Sequence, residues 1–255
     1  IPETIQGIDV VKGTYHAEFG DFDTAGAVRF KTREVLQESV GQGAWGQFDT
    51  QRYLLMLSPT KDKDRTLFAA DGYYTNGPFE NDNRYTRFNV MGKATMNPTV
   101  RSELSITGSY NKAHWNASGE IPFRAVADGT ISRWGSIDPS EGGQTEHAVG
   151  RIEYHYDTPS NGRFFADAYL MYYNLNLFTN FTYFLDNQTG GDGINQQDQR
   201  YMYGGKLGYQ HAGELFGIRS AASAGFEVRA DSITNIRLGT QTTRVPTGTI
   251  VQSAV

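Results

Sequence analysis

The sequence predicts an all-β fold of antiparallel strands, and three observations lead to this prediction. The 255 residues include 29 glycines, 15 tyrosines and 15 phenylalanines, a composition that is typical of strands and turns. Apolar and polar residues alternate with a period of two from about residue 50 to about residue 230, whereas helical periodicity is nearly absent. The segments that connect the alternating stretches are short and long in turn.

Composition and charge exclude several other classes of protein. The chain has no cysteine, which rules out a disulfide scaffold and a cysteine-ligated metal site. The net charge of −5 disfavours nucleic-acid binding, because that affinity usually comes from neutralising phosphates. No run of about 18 apolar residues is present, so a helical membrane protein is not expected. The aromatic content of 13% disfavours disorder.

The alternation is clearest in residues 101–111. Leu104, Ile106 and Tyr110 share one parity, whereas Glu103 and Ser105 share the other. Successive side chains of a strand point to opposite faces of the sheet, so this segment has one apolar and one polar face. Residues 163–173 carry large apolar side chains on both parities and are expected to be covered on both faces. We predict further strands at residues 5–13, 25–32, 52–58, 66–76, 85–96, 148–157, 201–211 and 219–231.

The connections favour a membrane barrel over a soluble sandwich. Tight turns are predicted at residues 60–65, 97–100, 159–162 and 212–217, and longer polar loops at residues 77–84, 113–146 and 186–199. Outer-membrane barrels have this asymmetry, with short turns on one side and long loops on the other. A soluble β sandwich or barrel also alternates. The predicted strands, however, approach the 9–11 residues that span a bilayer, and their polar face carries many full charges. We therefore predict a transmembrane antiparallel β-barrel.

Residues 1–32 differ from the remainder and carry a motif. Two short strands flank a turn-rich link, and the residues that form the motif are Ile5, Ile8-Asp9-Val10, Lys12-Gly13, Phe19-Gly20, Ala25-Gly26-Ala27-Val28 and Thr32-Arg33. This run resembles the end of the plug domain of TonB-dependent outer-membrane receptors. Residues 175–200 resemble a barrel segment of the same family, although that resemblance is more diffuse.

The resemblance implies a domain organisation and a function. Residues 1–32 are expected to be the C-terminal end of a plug, and residues 33–255 the N-terminal part of a barrel with about nine or ten strands, so that the chain is a piece of a larger receptor. Such a receptor lies in the bacterial outer membrane and takes up a scarce ligand, either a ferric siderophore, cobalamin or an oligosaccharide. Its expected partners are outer-membrane lipid, the extracellular ligand and an inner-membrane energy-coupling protein, which would act through a segment N-terminal to this chain. No nucleic-acid partner, cofactor or enzymatic activity is expected. The alternatives are a passive porin-like channel and a soluble β-rich binding protein.

Motifs for catalysis or metal binding have little support in this sequence. Residues 41–46 fit G-x-G-x-x-G, but no helical pattern follows them, so these glycines are assigned to a barrel strand. The five histidines lack the spacing of a metal pair, and no metal site or catalytic residue is predicted. His114 and His147 flank the longest loop, which leaves a metal site between them as a minor alternative. The paired carboxylates Asp21/Asp23 and Asp62/Asp64 are interpreted as solvated charges in turns.

The loop at residues 113–146 is the strongest candidate for ligand binding. Aromatic and arginine side chains on long loops are common recognition elements. The predicted ligand-binding residues are His114, Trp115, Phe123, Arg124, Arg133 and Trp134. The alternative is that these side chains stabilise the loop itself or a neighbouring loop.

Overall fold

The computed structural model describes residues 1–15, 19, 24–59 and 64–253, and the backbone alone of residues 215 and 253. The chain is built almost entirely from strands. A single turn of 3-10 helix spans Pro2–Thr4, and one short α-helix, α1, spans Phe123–Ala127. The twelve strands are β1 (Ile5–Lys12), β2 (Gly26–Thr32), β3 (Val40–Trp45), β4 (Gln51–Leu57), β5 (Arg65–Thr75), β6 (Tyr85–Thr99), β7 (Ser102–Asn116), β8 (Gly142–Asp157), β9 (Gly162–Thr179), β10 (Gly193–Leu215), β11 (Ile218–Thr242) and β12 (Val245–Ser253).

The strands form two antiparallel sheets. β1 and β2 pair with each other, with Val10 opposite Val28. β3 to β12 form one ten-stranded sheet in which every strand pairs with its neighbours in sequence, and β3 and β12 lie at its edges. This up-and-down order is the arrangement that a membrane barrel uses. The predicted fold class and the predicted number of strands are therefore confirmed for the described part of the chain.

The residues that precede β3, here called the N-terminal segment, pack against one face of the large sheet. We call this face the inner face. Ile1 and Leu36 pack against a buried cluster formed by Leu54, Met56, Leu67 and Ala69. Arg52 of β4 also binds Glu3 with two nitrogens, at 2.7 and 2.9 Å. The N-terminal segment and the sheet are thus joined by both apolar packing and charge.

The opposite face, here called the outer face, is an apolar band. Residues directly opposite in paired strands share a face, and Ile106 lies opposite both Ala94 and Ile152. The large side chains of this band are exposed, and they include Tyr53, Leu55, Phe68, Phe88, Ile106, Ile152, Leu170, Tyr203, Leu207, Phe226 and Val228. A contiguous exposed apolar surface of this kind marks a contact with another apolar phase.

The connections follow the predicted asymmetry. Three turns at one end are two to four residues long, at residues 100–101, 158–161 and 216–217, and the connection at residues 58–64 has seven residues. Residues 76–84, 117–141 and 180–192 form longer loops at the other end. Phe216 and Gly217 both have positive φ, as a two-residue hairpin turn requires. The turn between β11 and β12 is short and lies at the long-loop end. No helix among the described residues is long and apolar enough to cross a membrane.

Several predicted boundaries were wrong, and the strands are longer than the alternation suggested. Residues 193–199 were predicted as a loop but begin β10, because their backbones pair with both β9 and β11. The side-chain amide of Gln197 donates to Asn195 Oδ1 at 2.8 Å. This extension of β10 is therefore a strand that has no apolar face. The loop predicted at 113–146 is shortened to 117–141, and β12 was not predicted at all.

Part of the predicted features falls outside the described residues. These are His16, Gly20 of the N-terminal motif, the carboxylates of Asp21, Asp23 and Asp62, and residues 60–63 of the first predicted turn.

Candidate functional site

The three long loops are held together at one end of the sheet. Asn81 donates to the carbonyl oxygens of Ala117, at 2.9 Å, and Pro139, at 3.3 Å. Asn180 then joins the third loop to the second, since its amide donates to the carboxylate of Asp138 at 2.9 Å. Asn180 is only 1% exposed and Asp138 is also buried. The loops therefore form a connected layer above the sheet.

Arg244, in the turn between β11 and β12, donates hydrogen bonds to this loop layer. Its Nε donates to the carbonyl oxygen of Ser140 at 2.7 Å. Its Nη2 donates to Asn116 Oδ1 and to the carbonyl oxygen of Glu141, both at 3.0 Å. The guanidinium also lies over the ring of Phe178, 5.4 Å from its centroid. All of these contacts fix the point where the loop at 117–141 enters β8.

A cleft of about 820 Å³ lies beneath the loop layer on the inner face. Its strand residues, such as Trp115 in β7 and Thr145 in β8, have the inner-facing parity, with the exception of Asn116, the last residue of β7. The lining residues are Thr75, Asn83, Tyr85, Ala113, Trp115, Asn116, Ala117, Ser118, Gly119, Glu120, Glu141, Thr145, Thr179 and Phe181. The size falls within the range of small-molecule sites, and three aromatic rings face polar groups across it.

Two glycines shape the walls of this cleft. A side chain at Gly143 would come within 2.6 Å of the carbonyl oxygen of Asn176 and 3.2 Å of the Trp115 ring. Gly119 has a φ of +65°, and a Cβ there would clash with a carboxylate oxygen of Glu141. The first glycine leaves room for the indole, and the second leaves room for the Glu141 carboxylate.

The charged groups of the cleft are carboxylates. Glu141 is 5% exposed, and burial together with the charges of Asp138 and Glu120 raises its pKa to about 7. Glu120 is exposed and accepts a hydrogen bond of 2.9 Å from the hydroxyl of Tyr183. Burial and this bond to Glu120 raise the pKa of Tyr183 to about 12. The cleft can therefore accept hydrogen bonds from a ligand and repel negative charge.

Of the six residues predicted to bind ligand, the structure places Trp115 in the wall of the cleft. His114, the adjacent residue, has the opposite parity and points to the outer face. Phe123 and Arg124 lie in α1, away from the lining residues. Phe123 is 85% exposed, and Arg124 donates to the carbonyl oxygen of Tyr183 at 3.2 Å.

Trp134 contacts the neighbouring loop, and Arg133 packs on Trp134. The Arg133 guanidinium lies 5.0 Å from the centroid of the Trp134 ring, and that ring meets Phe79 edge to face at 5.8 Å. The backbone N–H of Glu80 donates to the carbonyl oxygen of Trp134 at 2.9 Å. These contacts correspond to the alternative that the sequence left open, in which loop residues stabilise a neighbour.

His114 and His147 do not meet. His114 lies opposite Gln144 and His147 lies opposite Asn111, so the two side chains project from opposite faces of the sheet. The ring of His147 packs against Tyr173 at 6.5 Å. In the part of the chain that the structure describes, no group of three or more metal-binding side chains comes together.

Sequence reasoning missed most of the cleft. Glu120, Glu141, Tyr85, Thr179 and Phe181 come from four separate segments, and only the pairing of β5 to β9 brings these segments together. A usable signal was present in Tyr85 and Thr179, since each lies at the loop end of a strand on the inner-facing parity.

A second polar cluster joins the N-terminal segment to the sheet. The buried carboxylate of Asp71 accepts from Arg52 at 2.6 Å, Arg87 at 2.7 Å and Asn89 at 3.1 Å. Arg52 reaches onward to Glu3, so one carboxylate of the sheet and one of the N-terminal segment share its guanidinium. In the same way, Arg65 pairs with Glu34 at 2.6 Å and with Glu103 at 2.5 Å.

No protein-family model matches this sequence, and no curated protein matches it. Solved structures do match it. The unliganded ferric citrate transporter FecA aligns with a TM-score of 0.77 at 15% identity, covering 98% of this chain and 38% of the transporter. The siderophore receptor PiuA from Acinetobacter baumannii aligns with a TM-score of 0.76 at 13% identity, covering 96% of this chain and 38% of the receptor. The ferric-catecholate import receptor Fiu from E. coli K12 aligns with a TM-score of 0.68 at 10% identity, covering 98% of this chain and 44% of the receptor.

These alignments concern the fold. The chain has the fold of TonB-dependent receptors, as the resemblance of residues 1–32 predicted. It spans about two fifths of the length of the solved receptors that it matches.

Proposed function

We propose that this chain is part of a TonB-dependent outer-membrane receptor that takes up a ferric chelate of the siderophore class. The observation that carries the proposal is the match of nearly the whole chain to receptors described as a ferric citrate transporter, a siderophore receptor and a ferric-catecholate import receptor. Within the proposal, residues 1–32 are the end of the plug and residues 33–255 are the N-terminal part of the barrel.

The surface of the sheet supports placement in an outer membrane. The outer face offers large apolar side chains such as Phe88, Ile152 and Leu170 to the lipid. The inner face carries full charges such as Arg151, which pairs with Glu153 at 3.0 Å. Apolar residues toward lipid and polar residues toward the lumen are what a bilayer-spanning barrel requires.

The cleft supports ligand capture at the long-loop end, which would be the extracellular end. The ligand would contact the rings of Tyr85, Trp115 and Phe181 and the polar groups around them. An inner-membrane energy-coupling protein would then act on the plug, whose described residues bind the barrel through the ion pair of Glu3 with Arg52. Transport of this kind needs binding and displacement but no covalent chemistry by the protein.

Uptake by the full-length receptor tests this function. The gene would be expressed in a Gram-negative strain that lacks its own ferric-chelate receptors, and uptake of radiolabelled iron would be followed with ferric citrate, ferrichrome and ferric desferrioxamine B as probes. We expect uptake of at least one chelate, with loss of that uptake when the energy-coupling protein is deleted. Uptake that is independent of energy coupling, together with ion conductance, would instead establish a passive channel.

A further inference from the structure

The cleft beneath the loop layer has a charge that restricts its ligand. Two of its lining residues, Glu120 and Glu141, carry carboxylates, and none of the described residues that line it is lysine, arginine or histidine. The Glu141 carboxylate lies beside Gly119, and Glu141 is 5% exposed. Any ligand that fills the cleft therefore meets two carboxyl groups and no cationic side chain among the described lining residues.

Two arginines that bind the loop layer, Arg244 and Arg124, donate their hydrogen bonds to protein oxygens. Arg244 donates to the backbone carbonyl oxygens of Ser140 and Glu141 and to the side-chain amide oxygen of Asn116. None of these acceptors is a carboxylate. Arg124 donates to the carbonyl oxygen of Tyr183. Neither guanidinium lines the cleft, so neither neutralises Glu120 or Glu141 in it.

The remaining groups of the wall suit a ligand with hydrogen-bond donors. The hydroxyl oxygen of Thr179 is buried and has no hydrogen-bond partner among the described residues. Carboxylates accept strong hydrogen bonds from cationic or neutral donors. The faces of Tyr85 and Trp115 attract a cation and tolerate an uncharged group.

We propose that this cleft favours an uncharged or cationic iron chelate with hydrogen-bond donors and discriminates against anionic chelates, with Glu141 and Glu120 as the residues that set this preference. The inference rests on the proposed function and adds the charge class of its substrate. An anionic chelate would place like charges together in the cleft and leave its own charge without a cationic partner among the lining residues. A chelate with donors would instead supply a partner for Thr179 and further hydrogen bonds to the carboxylates of Glu120 and Glu141.

Equilibrium binding to outer membranes that contain the full-length receptor tests the inference. The probes are radiolabelled ferric desferrioxamine B, which is cationic, ferrichrome, which is uncharged, and ferric citrate, which is anionic. We expect the cationic and uncharged chelates to bind at least about tenfold more tightly than ferric citrate. Glu141→Gln and Glu120→Gln should each reduce that ratio, by about tenfold for Glu141→Gln.

A matched control removes the same charge outside the cleft. Glu80 lies on the neighbouring loop, is exposed, and accepts a hydrogen bond of 2.6 Å from Ser132. Glu80→Gln should leave the ratio between the cationic and the anionic chelate unchanged. Because Glu120 is exposed, Glu120→Gln keeps the test valid if Glu141→Gln does not fold.

Each outcome decides a different statement. Equal or tighter binding of ferric citrate to the unaltered receptor would overturn the charge preference and leave the proposed function intact. A cationic preference that both variants retain would overturn the assignment to Glu141 and Glu120. A correctly inserted receptor that binds none of the three chelates would contradict the proposed function itself.

Discussion

Asp71 has no exposed side-chain surface, yet it lies in a strand among charged neighbours. Its two oxygens are shared by Arg52, Arg87 and Asn89, which neutralise the carboxylate and satisfy its hydrogen bonds. Because Arg52 also binds Glu3, the same carboxylate orients the side chain that holds the N-terminal segment.

Asp71→Ala should strongly destabilise the fold. The substitution leaves two guanidinium groups without their shared partner, and breaking a buried pair costs about 3 kcal/mol or more. The free energy of unfolding of the full-length receptor, measured by urea titration in detergent, should fall by about that amount. Asp157→Ala is the matched control, since Asp157 and Arg163 are both about half exposed and such pairs contribute about 1 kcal/mol or less. Equal losses in the two variants would contradict this account.

The loop at 117–141 should be more stable in mild acid than in mild alkali. The pKa of Glu141 is raised to about 7 in the folded loop, so folding favours its protonated form. This contribution is fully present below the ordinary glutamate pKa and is lost as the pH rises through about 7. Amide exchange in this loop, corrected for the intrinsic effect of pH, should be roughly tenfold more protected at pH 5 than at pH 8. Glu141→Gln should abolish that difference, and a difference that persists in the variant would assign it to another group.

Single elements show where sequence reasoning succeeded and where it stopped. β7 was predicted because Leu104 and Ile106 alternate with Glu103 and Ser105, which is the signal that a half-apolar strand leaves. The first residues of β10 do not alternate between apolar and polar. Asn195 and Gln197 are polar, although they have the same parity as Tyr201, which lies further along the strand. Their pairing is set by β9 and β11, which are distant in sequence. Trp115 could be predicted as a ligand-binding residue because it is an aromatic residue of the predicted loop at 113–146. No local sequence pattern reveals a buried glutamate such as Glu141.

Glycines on the outer face should differ in how they respond to a side chain. Gly92, Gly108 and Gly150 form a row across β6, β7 and β8, and a Cβ at any of them would meet no atom within 4 Å. Glycine in a strand is unfavourable by roughly 0.5–1 kcal/mol relative to alanine, so Gly108→Ala should raise the unfolding free energy by up to about that amount. Gly205→Ala should lower it, because the new Cβ would lie 2.7 Å from the carbonyl oxygen of Asp167. Urea titration of both variants compares them, and the same sign for both would refute the distinction.

At the scale of the whole molecule, alternate residues of each strand lie on opposite faces of the sheet. Ile106 projects outward beside Ala94 and Ile152, whereas the next residue, Thr107, projects inward beside Arg151. This division was predictable from the sequence. The identity of the residues that meet in the cleft was not, because it depends on the register of five strands.

An adjacent pair of substitutions tests the orientation of the sheet. Ile106→Arg should impair folding into the membrane by about 2–4 kcal/mol, since a charge on the lipid face is destabilising near the bilayer midplane. Thr107→Arg places the same side chain one residue further along, on the wet inner face, and should be tolerated. The fraction of full-length receptor that resists heat and detergent on gels reports correct insertion. A larger defect in Thr107→Arg would reverse the assignment of the two faces.

The contacts of Arg244 have a consequence for the order of assembly during biogenesis. They join residues that are 103 to 128 positions apart in the chain. Contacts between residues so distant form late, because the entropy of closing the intervening loop must be overcome first. Before the hairpin of β11 and β12 forms, the hydrogen bonds from Arg244 to the carbonyl oxygens of residues 140 and 141 are absent. The cleft therefore takes its final shape only after the strands around it have paired in register, so that an intact cleft reports a completed stretch of the sheet.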